Sequence, residues 1–147
     1  MENGIQNFDG ELGSGKHLYI AYGSNLNLEQ MASRAPTAQP LGAGYLKGWE
    51  LVFRRVADIR KSGSESILPV GFWSITDEDE LALDRYEGYP RVYSKINING
   101  AMTYVMNSDY ISPPSPTYFA TIREGYEDFG LDTDSLVSAL IESGGIQ

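Results

Sequence analysis

The stretch "HLYIAYGSNLNLEQMASRAP", residues 17–36, decides the architecture. Leu18, Ile20 and Tyr22 share one parity while Tyr19 and Ala21 take the other, so the run is apolar on both faces, as in a strand buried on both sides. It stops in Gly23, Ser24 and Asn25. A short helix is predicted next, with Asn27 as N-cap, Gln30 three residues on, Leu28 and Met31 at helical spacing, and Pro36 as the stop. Between strand and helix, Gly23 permits positive φ or close backbone approach. The N–H groups from Ser24 to Leu26 converge near a helix start, where anions and oxyanions are stabilised. Taken alone the turn reads as an ordinary connection, because Gly, Ser and Asn are the commonest turn formers.

Working outward, "ELVFRR" (50–55) and "ILPVGFWSI" (67–75) carry the β-branched and aromatic residues of strands. Pro69 places the start of the second at an edge or bulge. "RVYSKINI" and "AMTYVMN" flank Asn99-Gly100, which suits a two-residue type I′ turn, so these runs predict a hairpin. "SPTYFATIREGYEDFG" (115–130) has Ser115 as N-cap, Pro116 at the first helical position and Gly130 as terminator. A last helix starts at Thr133 and fades into glycines. No repeat of 20–50 residues is present. The pattern predicts an α+β domain with a largely antiparallel sheet over residues 17–147. Residues 1–16, rich in glycine and without periodicity, read as a flexible leader or an expression remnant.

Composition removes several function classes. Eleven Lys and Arg stand against 20 Asp and Glu, a formal net charge of −9, the wrong sign for nucleic acid or an anionic membrane surface. With no cysteine there is no disulfide, thiolate nucleophile or Cys-bearing zinc site. No apolar run reaches the roughly 18–20 residues of a membrane span, and the N-terminus lacks a secretory pattern. A cytoplasmic setting and a small-molecule partner are the expectation, with a homodimer left open.

Two motifs are decoys. "GELGSGKH" (10–17) nearly spells a phosphate loop, but His17 replaces the magnesium-binding hydroxyl, and the stretch opens a strand rather than following one. "DEDE" (77–80) offers carboxylates to a hard cation. A helix start explains it better, with Thr76 and Asp79 as a capping box and the acids favoured by the helix dipole. The single His17 has no second imidazole and reads as a solvated residue at a strand start.

The far end of that helix carries the chemistry. In "TDEDELALDRYEGYP", Ala82, Leu83 and Tyr86 form an apolar stripe, Gly88 sits at a left-handed C-cap and Pro90 forbids continuation. Glu87 is therefore the last helical residue, where its charge meets the negative end of the dipole at a cost of about 0.3–1 kcal/mol. Tyr86 and Tyr89 flank it and would shield it from water. Dipole and desolvation both raise its pKa above the usual carboxylate value, toward that of a general base. The alternative is an exposed glutamate at a frayed helix end. A base together with a nest of donors is an acyl-transfer constellation.

Taken in order, "YGSNL" (22–26), "SRAPTAQPLGAGYLKGWELVF" (33–53), "PVGFWSI" (69–75), "LALDRYEGY" (81–89), "VYSKINI" (92–98) and "PPSPTYFATIREGYEDFGL" (113–131) resemble the γ-glutamylcyclotransferase family. The resemblance covers most of residues 17–140 and is thinnest at 57–66, "ADIRKSGSES", read as a variable loop. It implies a small, mostly antiparallel β-barrel flanked by helices, with a cavity at its mouth. By motif, Glu87 falls on the family's catalytic glutamate; Tyr22, Gly23, Ser24, Asn25 and Leu26 fall on its substrate loop; and Tyr118, after P-S-P, falls on a cavity-lining tyrosine. The implied reaction closes a γ-glutamyl group on itself to 5-oxoproline and releases an amine, with no cofactor or metal. Asn25, in place of Leu, matches the relatives that take γ-glutamyl amino acids. Removal of a γ-glutamyl cap from a biosynthetic intermediate, cleavage of a γ-glutamylamine, a non-catalytic binder of γ-glutamyl compounds and a scaffold domain are the competing expectations.

Overall fold

The computed structural model describes residues 5–6 and 12–145, so most of the expected leader lies outside the described residues. Among these residues eight strands form: β1 Ile5–Gln6, β2 Lys16–Ala21, β3 Gln39–Lys47, β4 Trp49–Arg54, β5 Val56–Lys61, β6 Ile67–Thr76, β7 Tyr93–Ile98 and β8 Ala101–Met106. A 3-10 turn at Ser24–Leu26 follows β2. Four α-helices complete the described residues: α1 Leu28–Arg34, α2 Asp77–Glu87, α3 Pro116–Phe129 and α4 Asp134–Glu142. Among the described residues no helix is long and apolar enough to cross a membrane.

The α+β class read from the sequence is present. One sheet runs β1-β3-β6-β2-β8-β7, and a separate ladder joins β4 to β5. Every pair is antiparallel except β2 with β8, which is parallel. Asn99 and Gly100 both take positive φ, as the predicted hairpin turn requires. The core gathers Ile20, Leu26, Phe53, Leu68, Val70, Phe72, Tyr104 and Ile122, with Leu136 from α4.

Three expectations change. The sheet is not closed into a barrel. Where β5 approaches β8, the Asp58 carboxylate accepts the Met106 N–H at 2.9 Å and the Arg54 Nε–H at 2.7 Å, so a side chain supplies a bond that a closing ladder would otherwise make. Residues 57–66 are not wholly a loop, because β5 runs through Lys61. Its consecutive buried residues Ala57, Asp58 and Ile59 include a carboxylate, which hides the strand from a hydrophobicity reading. Pro69 lies in a central strand: it pairs with Tyr45 of β3, while the β2 ladder reaches β6 only at Gly71–Thr76. The missing N–H of Pro69 thus falls beyond the end of β2, which reconciles the proline with a central strand.

One face of α3 fixes the turn after β2. Asn27 Nδ2 donates to the Thr121 carbonyl at 3.0 Å and to Glu124 Oε1 at 3.1 Å, and the Leu28 N–H donates to Asp128 Oδ2 at 3.0 Å. Residues 121, 124, 125 and 128 share a helix face by their spacing. Gly125 lets that face touch the turn: a Cβ there would stand 2.7 Å from the Asn27 nitrogen and the Leu26 carbonyl carbon. From below, Trp73 Nε1 donates to the Asn25 carbonyl at 3.1 Å. A glycine-to-alanine change in a helix ordinarily stabilises by about 0.5–1 kcal/mol. For Gly125→Ala we expect the opposite sign, a loss of about 1–3 kcal/mol from overpacking against backbone. Urea denaturation reads the difference, and an unchanged or raised midpoint would show that the turn yields freely.

Candidate active site

A strand that ends in Gly-Ser-Asn and a helix that ends in Glu-Gly meet at one cavity of about 340 Å³. That is within the range of about 300–1,000 Å³ common for small-ligand pockets. Tyr22, Gly23, Ser24 and Asn25 line it from the β2 side, Glu87 from the end of α2 and Tyr118 from α3. Leu26 does not. Its side chain is fully buried, and its N–H is spent on the Gly23 carbonyl at 2.9 Å within the turn. Among the described residues, the donors that remain ahead of the turn are those of Gly23, Ser24 and Asn25. Gly23 is required by space, since a Cβ there would meet the Ala57 Cβ at 2.9 Å.

Glu87 ends α2 because Gly88 follows at φ 69°, with Tyr89 N–H closing back on the Asp84 carbonyl at 2.9 Å. Burial pushes the Glu87 carboxyl up to about 7, against the Arg34 guanidinium and the Asn25 amide, which both favour the charged form. The shielding does not come from the sequence neighbours as expected. Tyr86 and Tyr89 are exposed, and Tyr89 turns to Lys95, whose Nζ is 4.3 Å from its ring centre. Besides the exposed Tyr86, the phenols lining the cavity with Glu87 are Tyr19, Tyr22, Tyr93, Tyr104 and Tyr118. Burial holds each of them above the ordinary phenol range, so the wall is neutral apart from Glu87 and Arg85.

The hydroxyl protons of these phenols are unevenly used. Tyr22 donates to the Tyr104 carbonyl, Tyr93 to the Ala57 carbonyl and Tyr104 to Asp84 Oδ1. Tyr19 accepts from Asn25 Nδ2 at 2.8 Å, and Tyr118 accepts the Ala57 N–H at 3.0 Å. The phenols of Tyr19 and Tyr118 therefore keep a proton to offer a ligand.

Asn25 is the junction. Its Nδ2 donates to Glu87 Oε2 at 3.2 Å as well as to Tyr19, while its Oδ1 accepts from Arg34 Nη1 at 2.6 Å. Arg34 is itself stacked on the Tyr86 ring at 3.7 Å and donates to Ser24 Oγ and Gln30 Oε1. The guanidinium thus settles which way the amide faces: oxygen to Arg34, NH₂ to the carboxylate. Tyr19, Arg34, Tyr93 and Ala57 were not singled out in the sequence. Tyr19 carried a signal, being a polar-tipped residue among the aliphatic Leu18, Ile20 and Ala21.

The acidic helix start behaves as the capping box that was expected, with Thr76 and Asp79 bonded reciprocally. His17 is a correction. It is half-buried rather than solvated, its Nε2 lies 2.6 Å from Glu80 Oε1, and Asp77 lies on its other side. These three side chains are close enough to share a cation, but Glu80 is already neutralised by Lys95 Nζ at 2.6 Å.

No family profile and no curated sequence matches the chain. Solved structures do. A γ-glutamyl cyclotransferase superposes with a TM-score of 0.72 at 25% identity, over 90% of this chain and 88% of its own. A human protein described as uncharacterised gives the same TM-score and identity over 91% and 89%. YkqA of Bacillus subtilis, at 18% identity and a TM-score of 0.70, covers 90% of this chain and 56% of its own, and shares the fold alone. The resemblance read from the order of the sequence motifs is therefore present in the fold.

Proposed function

We propose that this protein is a γ-glutamylcyclotransferase, which cyclises a γ-glutamyl amino acid or amide to 5-oxoproline and releases the amine. One observation carries the reading. A carboxylate whose pKa lies near 7 shares a small cavity with a loop of backbone donors, in a fold similar to that of a γ-glutamyl cyclotransferase.

The chemistry follows from proton accounting. The substrate α-ammonium must lose a proton before its nitrogen can attack the γ-carbonyl carbon. Glu87, ionised about half the time near pH 7, takes it. Attack forms the ring C–N bond and a tetrahedral oxyanion. Collapse breaks the bond to the leaving nitrogen, which Glu87 protonates as it departs. In all, the α-nitrogen gives up two protons and the leaving nitrogen gains two, so Glu87 carries each in turn and ends as it began. No redox change or co-substrate enters. Nucleophile and electrophile belong to one molecule, so holding the folded conformer supplies much of the acceleration.

The N–H groups of Gly23 to Asn25 and the hydroxyls of Tyr19 and Tyr118 are the neutral donors available to the oxyanion and to the substrate α-carboxylate. Neutral donors suit the task. They stabilise a developing charge without holding Glu87 permanently ionised. A cytoplasmic setting fits the cysteine-free, acidic chain.

A panel of γ-glutamyl compounds assayed for 5-oxoproline by mass spectrometry tests the reaction. Saturable binding with no product after long incubation would leave a binder and remove the enzyme. Arg34 gives a second expected result. Its charge lowers the Glu87 pKa and its hydrogen bond orients Asn25, so Arg34→Gln should move the acidic limb of the kcat/KM profile from about pH 7 to higher pH. Arg34→Lys should move it less. A limb that stays in place in Arg34→Gln would show that another group controls it.

A further inference from the structure

The reading above accounts for the glutamyl half of the substrate; the wall near the mouth bears on the other half. Arg85 is the one cation among the residues lining the cavity. It is exposed, and among the described residues no hydrogen bond, ion pair or ring contact engages its side chain. Val56, Val92 and Tyr86 also line the cavity, with Val92 48% and Tyr86 46% exposed, so part of the wall is apolar and opens to solvent. Glu87 and the buried phenols mark the closed end.

The orientation of a bound substrate follows. The α-nitrogen must reach Glu87 at the closed end, so the scissile amide directs the departing amine toward the mouth. There the lining residues include Arg85, whose side chain has no partner among the described residues, and two valines. We propose that Arg85 is a specificity-determining residue that pairs with a carboxylate on the leaving amine, while Val56 and Val92 cover an apolar side chain on the same group. This rests on the γ-glutamyl reading and adds to it the residue that discriminates among leaving groups. The pairing is chemically suited, because a guanidinium presents a planar fork that a carboxylate can accept bidentately. It is also needed. The chain carries a formal net charge of −9, and a second carboxylate on the substrate would otherwise enter an acidic field without compensation.

The test uses two substrates that differ by one carboxylate, γ-glutamyl-leucine and γ-glutamyl-3-methylbutylamine, and reads the ratio of their kcat/KM values. Arg85→Gln should lower that ratio about tenfold, as expected for loss of a charge-assisted hydrogen bond, and Arg85→Lys should restore part of it. Added salt should lower the ratio in the unaltered protein as well. An unchanged ratio in Arg85→Gln overturns the proposal. So does a parallel fall for both substrates, which would place the guanidinium on the glutamyl carboxylate they share. If the unaltered protein makes 5-oxoproline from neither compound, the reaction assigned above fails separately. The ratio of their Kd values by calorimetry then decides on Arg85 alone, and a ratio that Arg85→Gln leaves unchanged overturns it.

Discussion

Glu87→Gln should reduce 5-oxoproline formation by about a thousandfold or more, within or beyond the 10² to 10⁴ that a positioned acid-base group typically contributes. The glutamine keeps the shape of the side chain and can still accept the Asn25 Nδ2 donor that now sits 3.2 Å from Glu87 Oε2. It cannot take a proton from the α-ammonium or return one to the departing amine. Both transfers in the proposed cycle pass through this carboxylate, so losing it stops the reaction at two points. Binding should change far less, because the loop donors and the two unspent phenol protons remain. The measurement pairs single-turnover mass spectrometry with calorimetry on the same γ-glutamyl compound. Turnover in Glu87→Gln within tenfold of the unaltered protein would remove Glu87 from the mechanism.

How much of this was legible in the sequence depends on how local each signal was. The Asn99-Gly100 hairpin, the Thr76 capping box and the Gly88 and Gly130 helix ends appear where the residues place them, because each depends on neighbours within a few positions. Strand β3 was not read, since "QPLGAGYLK" has two glycines and a proline, and its register shifts between Pro40 and Gly42. It is held by β6, a partner some thirty residues away. The site divides in the same way. Glu87 was recognisable from its position at a helix end, but its shielding by Tyr19, Tyr93 and Tyr104 comes from β2, β7 and β8 and has no local signature. The Arg34–Asn25–Glu87 chain likewise depends on helix α1 folding back over the turn that precedes it, so that two residues nine apart share a hydrogen bond. Leu26 was misplaced for the converse reason. Its position in the motif gave no sign that the turn would consume its N–H and bury its side chain.

The same substitution that stops turnover should make the protein more stable at neutral pH. A carboxyl with a folded pKa of about 7 and an unfolded value near 4.3 binds its proton more tightly in the folded state. Its contribution to stability is therefore complete below about pH 4.3 and is lost as pH rises through about 7. Above that pH the folded chain holds a buried charge only partly offset by Arg34 and Asn25. The shift corresponds to at most about 4 kcal/mol, and solvent reaching the half-buried carboxylate reduces it. Glu87→Gln removes that penalty, since the amide has nothing to ionise. The expected gain is about 1–3 kcal/mol at pH 8 and near zero at pH 4, read as a midpoint difference in urea that grows with pH. A constant gain across this range would mean that packing rather than charge separates the two proteins. A loss at pH 8 would mean that the ionised form makes stronger bonds than the burial costs. The opposite signs expected for activity and stability share one cause. The desolvation that strains the folded state is also what holds Glu87 near neutrality, where it can both accept and return a proton.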